Sequence, residues 1–252
     1  MNFTGKSDLI KSVQKALNLE ADGVDGSITW NAIAKALVTP SEVSNTGQIK
    51  SGLSDKALQL ILDYEVGGGE KYYEKHLKRP TYPGGASGVT IGIGYDLGYN
   101  TSGQFQVDWK DLIPNDSFDR LKKCLSLTAN NAKNRIAEVR DIEVSWIAAL
   151  TVFNNNTIPR FIKETLKAFP EADQLHPDAF GALVSLVFNR GSAVTGESRR
   201  EMLAIRDFVL KKDYKSIGYE IRAMKRLWIG KGLDGLLARR DDEAKLVESC
   251  IS

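Results

Sequence analysis

Apolar residues recur at helical spacing over most of the chain after Pro114, whereas strict alternation occurs between Gly88 and Gly98. The helical spacing predicts helices near 116–126, 128–140, 143–154, 157–168, 176–189, 199–212, 213–226 and 234–248. Upstream, Ser54 or Asp55 opens a helix carrying Ala57, Leu58, Ile61 and Leu62, which runs through Glu65 and stops at Gly67-Gly68-Gly69. Pro80, Pro83 and Gly84-Gly85 make the stretch from Tyr72 to Leu97 an irregular, β-containing lobe. A small β-lobe followed by a helical lobe is an α+β arrangement, and a cleft between the lobes is its natural ligand site.

A second, smaller unit is expected at the start of the chain. Ser7 or Asp8 caps a helix with Leu9, Ile10, Val13 and Leu17 on one side. Asp22-Gly23 and Asp25-Gly26 form tight turns, and a second helix holds Trp30, Ile33 and Leu37. The stretch 39–52 (TPSEVSNTGQIKSG) is polar and bounded by Pro40 and Gly52, which is linker chemistry. The expected layout is a three-helix module over 1–38, a linker over 39–52 and a larger domain over 53–252.

In the alternating segment, Val89, Ile91 and Ile93 face one way and Thr90, Gly92 and Gly94 the other, leaving a wall almost free of side chains. Thr90 and Asp96 stand at its ends. In a straight strand they would lie about 20 Å apart at roughly 3.3 Å per residue, so a shared site requires a turn near Gly94.

Composition narrows the chemistry. The 252 residues carry a net charge of +2, too balanced to announce a nucleic-acid binder. The longest apolar stretches, Trp146–Phe153 and Phe180–Phe188, are shorter than the roughly 20 residues that span a bilayer, so no membrane insertion is expected. Met1–Leu19 reads as a polar lead into an amphipathic helix, so synthesis and folding in the cytoplasm are expected. Cys124 and Cys250 suit incidental thiols better than a bridge, and they lack the spacing of a metal site, so neither a metal nor another cofactor is expected. Glu65, at a helix end beside an apolar face, is a candidate general acid.

Two family resemblances give these residues a context. The stretch VQKALNLEADGVDGSITWNAIAKAL resembles the peptidoglycan-binding domain type 1 family, which implies anchoring to cell-wall polymer without catalysis. Glu65 followed by Gly88-Val-Thr90-Ile-Gly-Ile-Gly94 resembles the phage lysozyme family of glycoside hydrolases. So does the helix Phe180–Gly191 with its Phe-Asn-Arg-Gly ending, and so does Trp228 followed by Gly235-Leu-Leu-Ala-Arg-Arg-Asp-Asp-Glu-Ala244. The phage enzymes place an Asp between their Glu and Thr, and this chain has none there. The pesticin-type muramidases use the order Glu, Thr, Asp, which Glu65, Thr90 and Asp96 follow.

The resemblance therefore implies a modular endolysin with a lysozyme-like domain. Its substrate would be the β-1,4 bond between N-acetylmuramic acid and N-acetylglucosamine of peptidoglycan, and its outcome the lysis of a bacterial host. In that scheme Glu65 is the acid, Asp96 stays ionised as base or counter-charge, and Thr90 positions water, with Glu70 and Glu74 in reserve. A monomer is expected, without nucleic-acid partners, held in the host cytoplasm until the membrane is breached. Two alternatives stand beside it: a lytic transglycosylase, which relies on one acid, and a non-catalytic wall-binding or virion structural protein. His76, Asn189-Arg190-Gly191, Trp228 and the charged run Arg239–Glu243 are more simply read as surface, helix stop, core and a salt-bridged helix face.

Overall fold

The computed structural model describes residues 6–16, 20, 21, 23, 52–67 and 69–251. The chain divides into two compact units, Met1–Gly47 and Gln48–Ser252. The division falls inside the stretch expected to link two domains, although 39–51 lie outside the described residues.

In the first unit, helix α1 (Lys6–Ala16) begins just before Ser7, so Asp8 sits in its first turn where a negative charge suits the helix dipole. Gln14 is buried and its side-chain oxygen accepts a hydrogen bond from the Gly23 N–H at 2.9 Å. Gly23 has φ +77°, and a Cβ there would lie 2.4 Å from Ser7 Oγ, so glycine is needed for both conformation and space. The predicted helix holding Trp30, Ile33 and Leu37, with Leu17 and Val24, lies outside the described residues.

The second unit is mainly α with one small sheet. Helix α2 (Asp55–Val66) starts where the Ser54 hydroxyl accepts from the Ala57 N–H and ends at Gly67, φ +54°. Then follow α3 (Gly69–His76), β1 (Thr90–Ile91), β2 (Tyr95–Asp96), α4 (Ser102–Trp109), α5 (Asn115–Lys122) and α6 (Ala129–Arg135). The chain continues through α7 (Trp146–Val152), a π turn (Phe153–Thr157), α8 (Ile158–Ala168), α9 (Pro177–Arg190), α10 (Arg200–Leu210), α11 (Tyr214–Ala223) and α12 (Asp234–Glu248). Among the described residues no helix is long and apolar enough to cross a membrane.

Helix α9 is the spine. Residues 178–187 are all buried, and the helix packs against α2, α8 and α12. At Gly181 an added Cβ would lie 2.0 Å from the Ala57 Cβ, so α2 and α9 touch backbone to side chain there. That close approach fixes where the end of α2, and hence Glu65, stands.

Two expectations are corrected. The stretch 72–97 is less β-like than its prolines and glycines suggest, because α3 carries the chain to His76 before the loop begins. Nor does the glycine segment form a long strand with a bare face. Only Thr90–Ile91 and Tyr95–Asp96 pair, in register Thr90↔Asp96 and Ile91↔Tyr95, and Thr90 also bridges Thr81. Gly92 and Gly94, at φ +56° and +65°, turn the chain between them. The wall is also covered: a Cβ at Gly92 would lie 2.9 Å from the Trp109 ring.

Candidate active site

The last turn of α2 delivers Glu65, whose side chain is 19 % exposed. Its Oε1 accepts a hydrogen bond from Arg239 Nη1 at 2.9 Å. Its Oε2 faces the hairpin, where a Cβ on Gly94 would lie 3.3 Å away. Glycine at 94 thus supplies both the left-handed turn and clearance for the carboxylate.

Arg239 is itself firmly held. Its side chain, on α12, is 4 % exposed and sits over the Tyr64 ring at 5.2 Å. It donates to Ser185 O at 3.3 Å and to Glu243 Oε1 at 3.3 Å. Glu243 Oε1 also accepts from Ser185 Oγ at 2.6 Å and Arg240 Nη2 at 2.8 Å. The charged run on α12 is salt-bridged along its helix, as expected, but three of its members are buried and so belong to the core. Arg239, Arg240 and Glu243 are buried against α9. Asp241 and Asp242 remain at the edge, paired with Lys225 and Lys245. A signal for this existed in the spacing: Leu236, Arg240, Glu243 and Val247 share one helix stripe, so charges stand where apolar residues belong. Trp228 is half-buried against this core, with Arg190 over its ring at 4.8 Å.

The hairpin brings Thr90 opposite Asp96, so the two side chains leave the same face of the sheet. The backbone of Thr90 exchanges hydrogen bonds with Thr81 at 2.8 and 2.9 Å, while among the described residues its hydroxyl has no hydrogen-bond partner. Asp96 is more occupied. Its Oδ1 accepts from Gly98 N–H at 2.8 Å, and both carboxylate oxygens lie 3.0 Å from the Gly88 nitrogen. A Cβ at Gly88 would lie 2.3 Å from Asp96 Oδ1, so the first glycine of the segment exists to admit this carboxylate. Asp96 caps its own turn, a role not visible from its spacing to Thr90.

Two hollows lie beside the two carboxylates. One, of about 440 Å³, is lined by Glu65, Tyr64, Asn189, Arg239, Gly232, Leu233 and the first turn of α12. The other, of about 250 Å³, is lined by Gly94, Asp96, Tyr99, Asn100, Arg160 and Glu164 among others. Glu65 thus lines one hollow and Asp96 the other. Gly94 lines the second hollow and lies beside the Glu65 carboxylate, and the two residues from Gly94 to Asp96 span at most about 7 Å. Glu70 and Glu74, on α3, line neither hollow.

The floor beneath the hairpin was not foreseen. Asp108, side chain 0 % exposed, accepts from Tyr95 Oη, Gln104 Nε2 and Asn156 Nδ2, each at 2.8 Å, and pairs with Arg160 at 3.1 Å. Burial, then the Asp108 contact, pushes the Tyr95 phenol well above the usual tyrosine range, so it remains a donor. Asn156 reaches Asp108 from the π turn, a distortion often found at functional sites.

His176, Asp178 and Cys250 cluster within 4.8 Å of one another, an arrangement that could suit a metal. Two of them already serve the start of α9. His176 Nδ1 accepts from the Asp178 N–H at 3.2 Å, and the Cys250 sulfur is hydrogen-bonded by the Ala179 backbone. Lys56 stands 3.9 Å from Asp178, supplying a positive charge at the same point. Helix capping explains the cluster. Cys124 is buried, and burial pushes its thiol up to about 11.

A family model described as a domain of unknown function (DUF8812) matches residues 60–175. The matched stretch holds Glu65, the hairpin with Thr90 and Asp96, and Arg160, but not Arg239. No curated protein matches the chain.

Proposed function

We propose that the second unit is a muramidase-type glycoside hydrolase acting on peptidoglycan, and that residues 1–38 anchor it to the wall. The observation that carries this reading is the meeting of Glu65 Oε2 with Gly94 on the hairpin that sets Thr90 opposite Asp96. A glycosidic bond is cut when an acid protonates the leaving oxygen and an opposing carboxylate supports the oxocarbenium-like centre or activates water. Arg239 offers only donors, so Oε1 of Glu65 must remain an acceptor. When Glu65 acts as the acid, the proton it gives must therefore come from Oε2, the oxygen at Gly94. Glu243 shares the Arg239 charge, so Glu65 is not its only counter-ion. The unpartnered Thr90 hydroxyl is suited to hold a water beside Asp96. Tethering by the first unit makes contact with an insoluble wall effectively intramolecular. Host lysis after synthesis in the cytoplasm belongs to the same proposal.

The test is Glu65→Gln in the full chain, assayed by reducing ends released from purified peptidoglycan. Turnover should fall by at least about 100-fold with melting unchanged, because Gln still offers Arg239 an acceptor. Wild-type-like turnover would remove Glu65 from the chemistry. One observation favours a second reading: Asp96 is already engaged by two backbone N–H groups, as a brace would be. A lytic transglycosylase needs a single acid, and anhydro-muramic products in the mass spectrum would identify it.

A further inference from the structure

Tyr99 is 68 % exposed, yet its ring is tied at both ends. At the tip its hydroxyl donates to the Ala86 carbonyl at 2.9 Å. At the root it closes the short turn Leu97–Tyr99, which Asp96 caps and the Asn100 N–H seals on Leu97 O at 3.3 Å. Tyr82 donates to the neighbouring carbonyl, Gly85, also at 2.9 Å. Two tyrosines thus clasp consecutive carbonyls of one loop, and that loop's end at Gly88 is held by Asp96. An exposed aromatic fixed in this way loses little further freedom on meeting a ligand, and it presents a broad apolar face.

The ring borders the hollow beside Asp96. The polar side chains across it are equally anchored. Arg160 donates through Nη1 to Asn100 Oδ1 at 2.9 Å and lies 3.1 Å from the buried Asp108. Glu164 accepts from Ser192 Oγ at 2.8 Å and pairs with Lys167. A flat apolar face opposite planar, pre-oriented hydrogen-bonding groups matches a pyranose ring. Its C–H face stacks on the aromatic, while its hydroxyl and acetamido groups reach the carboxylate and guanidinium.

We propose that this hollow is a sugar subsite next to Asp96, with Tyr99 as its stacking face and Arg160 and Glu164 as its polar wall. The proposal rests on the glycan-cleaving reading of Glu65 for its substrate class. Binding is measured in the full-length Glu65→Gln background, by calorimetry, with peptide-free glycan strands prepared from purified peptidoglycan. Adding Tyr99→Ala should weaken binding about tenfold, and Tyr99→Phe, which keeps the ring but loses the tie to Ala86, about two- to threefold. In the otherwise wild-type enzyme, Tyr99→Ala should raise KM by a similar factor and leave kcat within about twofold. Thermal melting of both variants reports that they are folded. Undiminished strand binding by Tyr99→Ala overturns the subsite while leaving the Glu65 reading intact. If instead the wild-type chain releases neither reducing ends nor anhydro-muramic products yet binds strands through Tyr99, the reading of Glu65 falls and the subsite stands.

Discussion

The two acids of the candidate site are held in opposite ways. Glu65 is fixed by charged side chains from a helix 174 positions away in sequence, through Arg239 and the buried Ser185–Glu243–Arg240 cluster. Asp96 is fixed by backbone N–H groups of Gly88 and Gly98, both within eight residues of it. The first arrangement depends on the global packing of α2, α9 and α12. The second is nearly autonomous, built from glycines that let backbone approach carboxylate. A site assembled in this way joins a long-range electrostatic half to a local, stereochemical half.

That contrast can be broken first at Arg239. Replacing it with Met leaves Glu65 and Glu243 without their shared cation in a largely buried place, which should cost about 3–5 kcal/mol, read as a fall in the denaturant midpoint. A loss under 1 kcal/mol would mean the cluster is not the brace described. Next comes Asp96→Asn. The amide cannot match both carboxylate contacts, so stability should drop by about 1–3 kcal/mol. Turnover per folded molecule should fall by at least about 100-fold if Asp96 serves the reaction. Near-wild-type turnover with that stability loss would make Asp96 only the brace of its turn and favour the single-acid mechanism.

The smallest effect lies away from the site. The hydrogen-bonded Arg222 guanidinium holds the Glu248 carboxyl below the usual glutamate range. Its contribution is therefore fully present above the unfolded value of about 4.3 and is lost as pH falls through the lower folded value. Glu248→Gln should lower stability by a few tenths of a kcal/mol at pH 7, a deficit that disappears at acid pH, so that the acid limb of the stability–pH curve flattens. An unchanged acid limb would show that this pair contributes nothing.

Legibility in the sequence follows the same divide. Helix α8, with its continuous apolar stripe, lies close to its expected span, and so does α12, although charges interrupt its stripe. Some long stretches split: 128–140 is α6 followed by a 3-10 turn at Ile136–Glu138, and α7 waits for the Ser145 cap before starting at Trp146. Helix α3 escaped notice because, of its eight residues, only Tyr73 is buried, so no period can be read. Helix α4 escaped because buried Asp108 interrupts its apolar face. In the site, the turn near Gly94 could be deduced from reach alone, since Thr90 and Asp96 cannot otherwise meet. What the glycines are for could not, because Trp109 and Asp96 fill the spaces that seemed open. Arg239 was hidden for a different reason. Its partner lies across the whole domain, and only the neighbouring stripe of Leu236, Arg240, Glu243 and Val247 hints that charges on this helix are buried.

The π turn at Phe153–Thr157 leads straight from α7 into α8, making one unbroken helical run with a wide turn in its middle. A turn wound this widely holds one residue more than ordinary winding over nearly the same arc, so excising a single asparagine there would restore an α-helix and leave α8 close to its place. Arg160 would keep its hold on Asp108, and the contact forfeited would be the one Asn156 makes with that carboxylate. A one-codon deletion at this point thus subtracts one contact and spares the register, which makes the surplus residue itself a part of the floor.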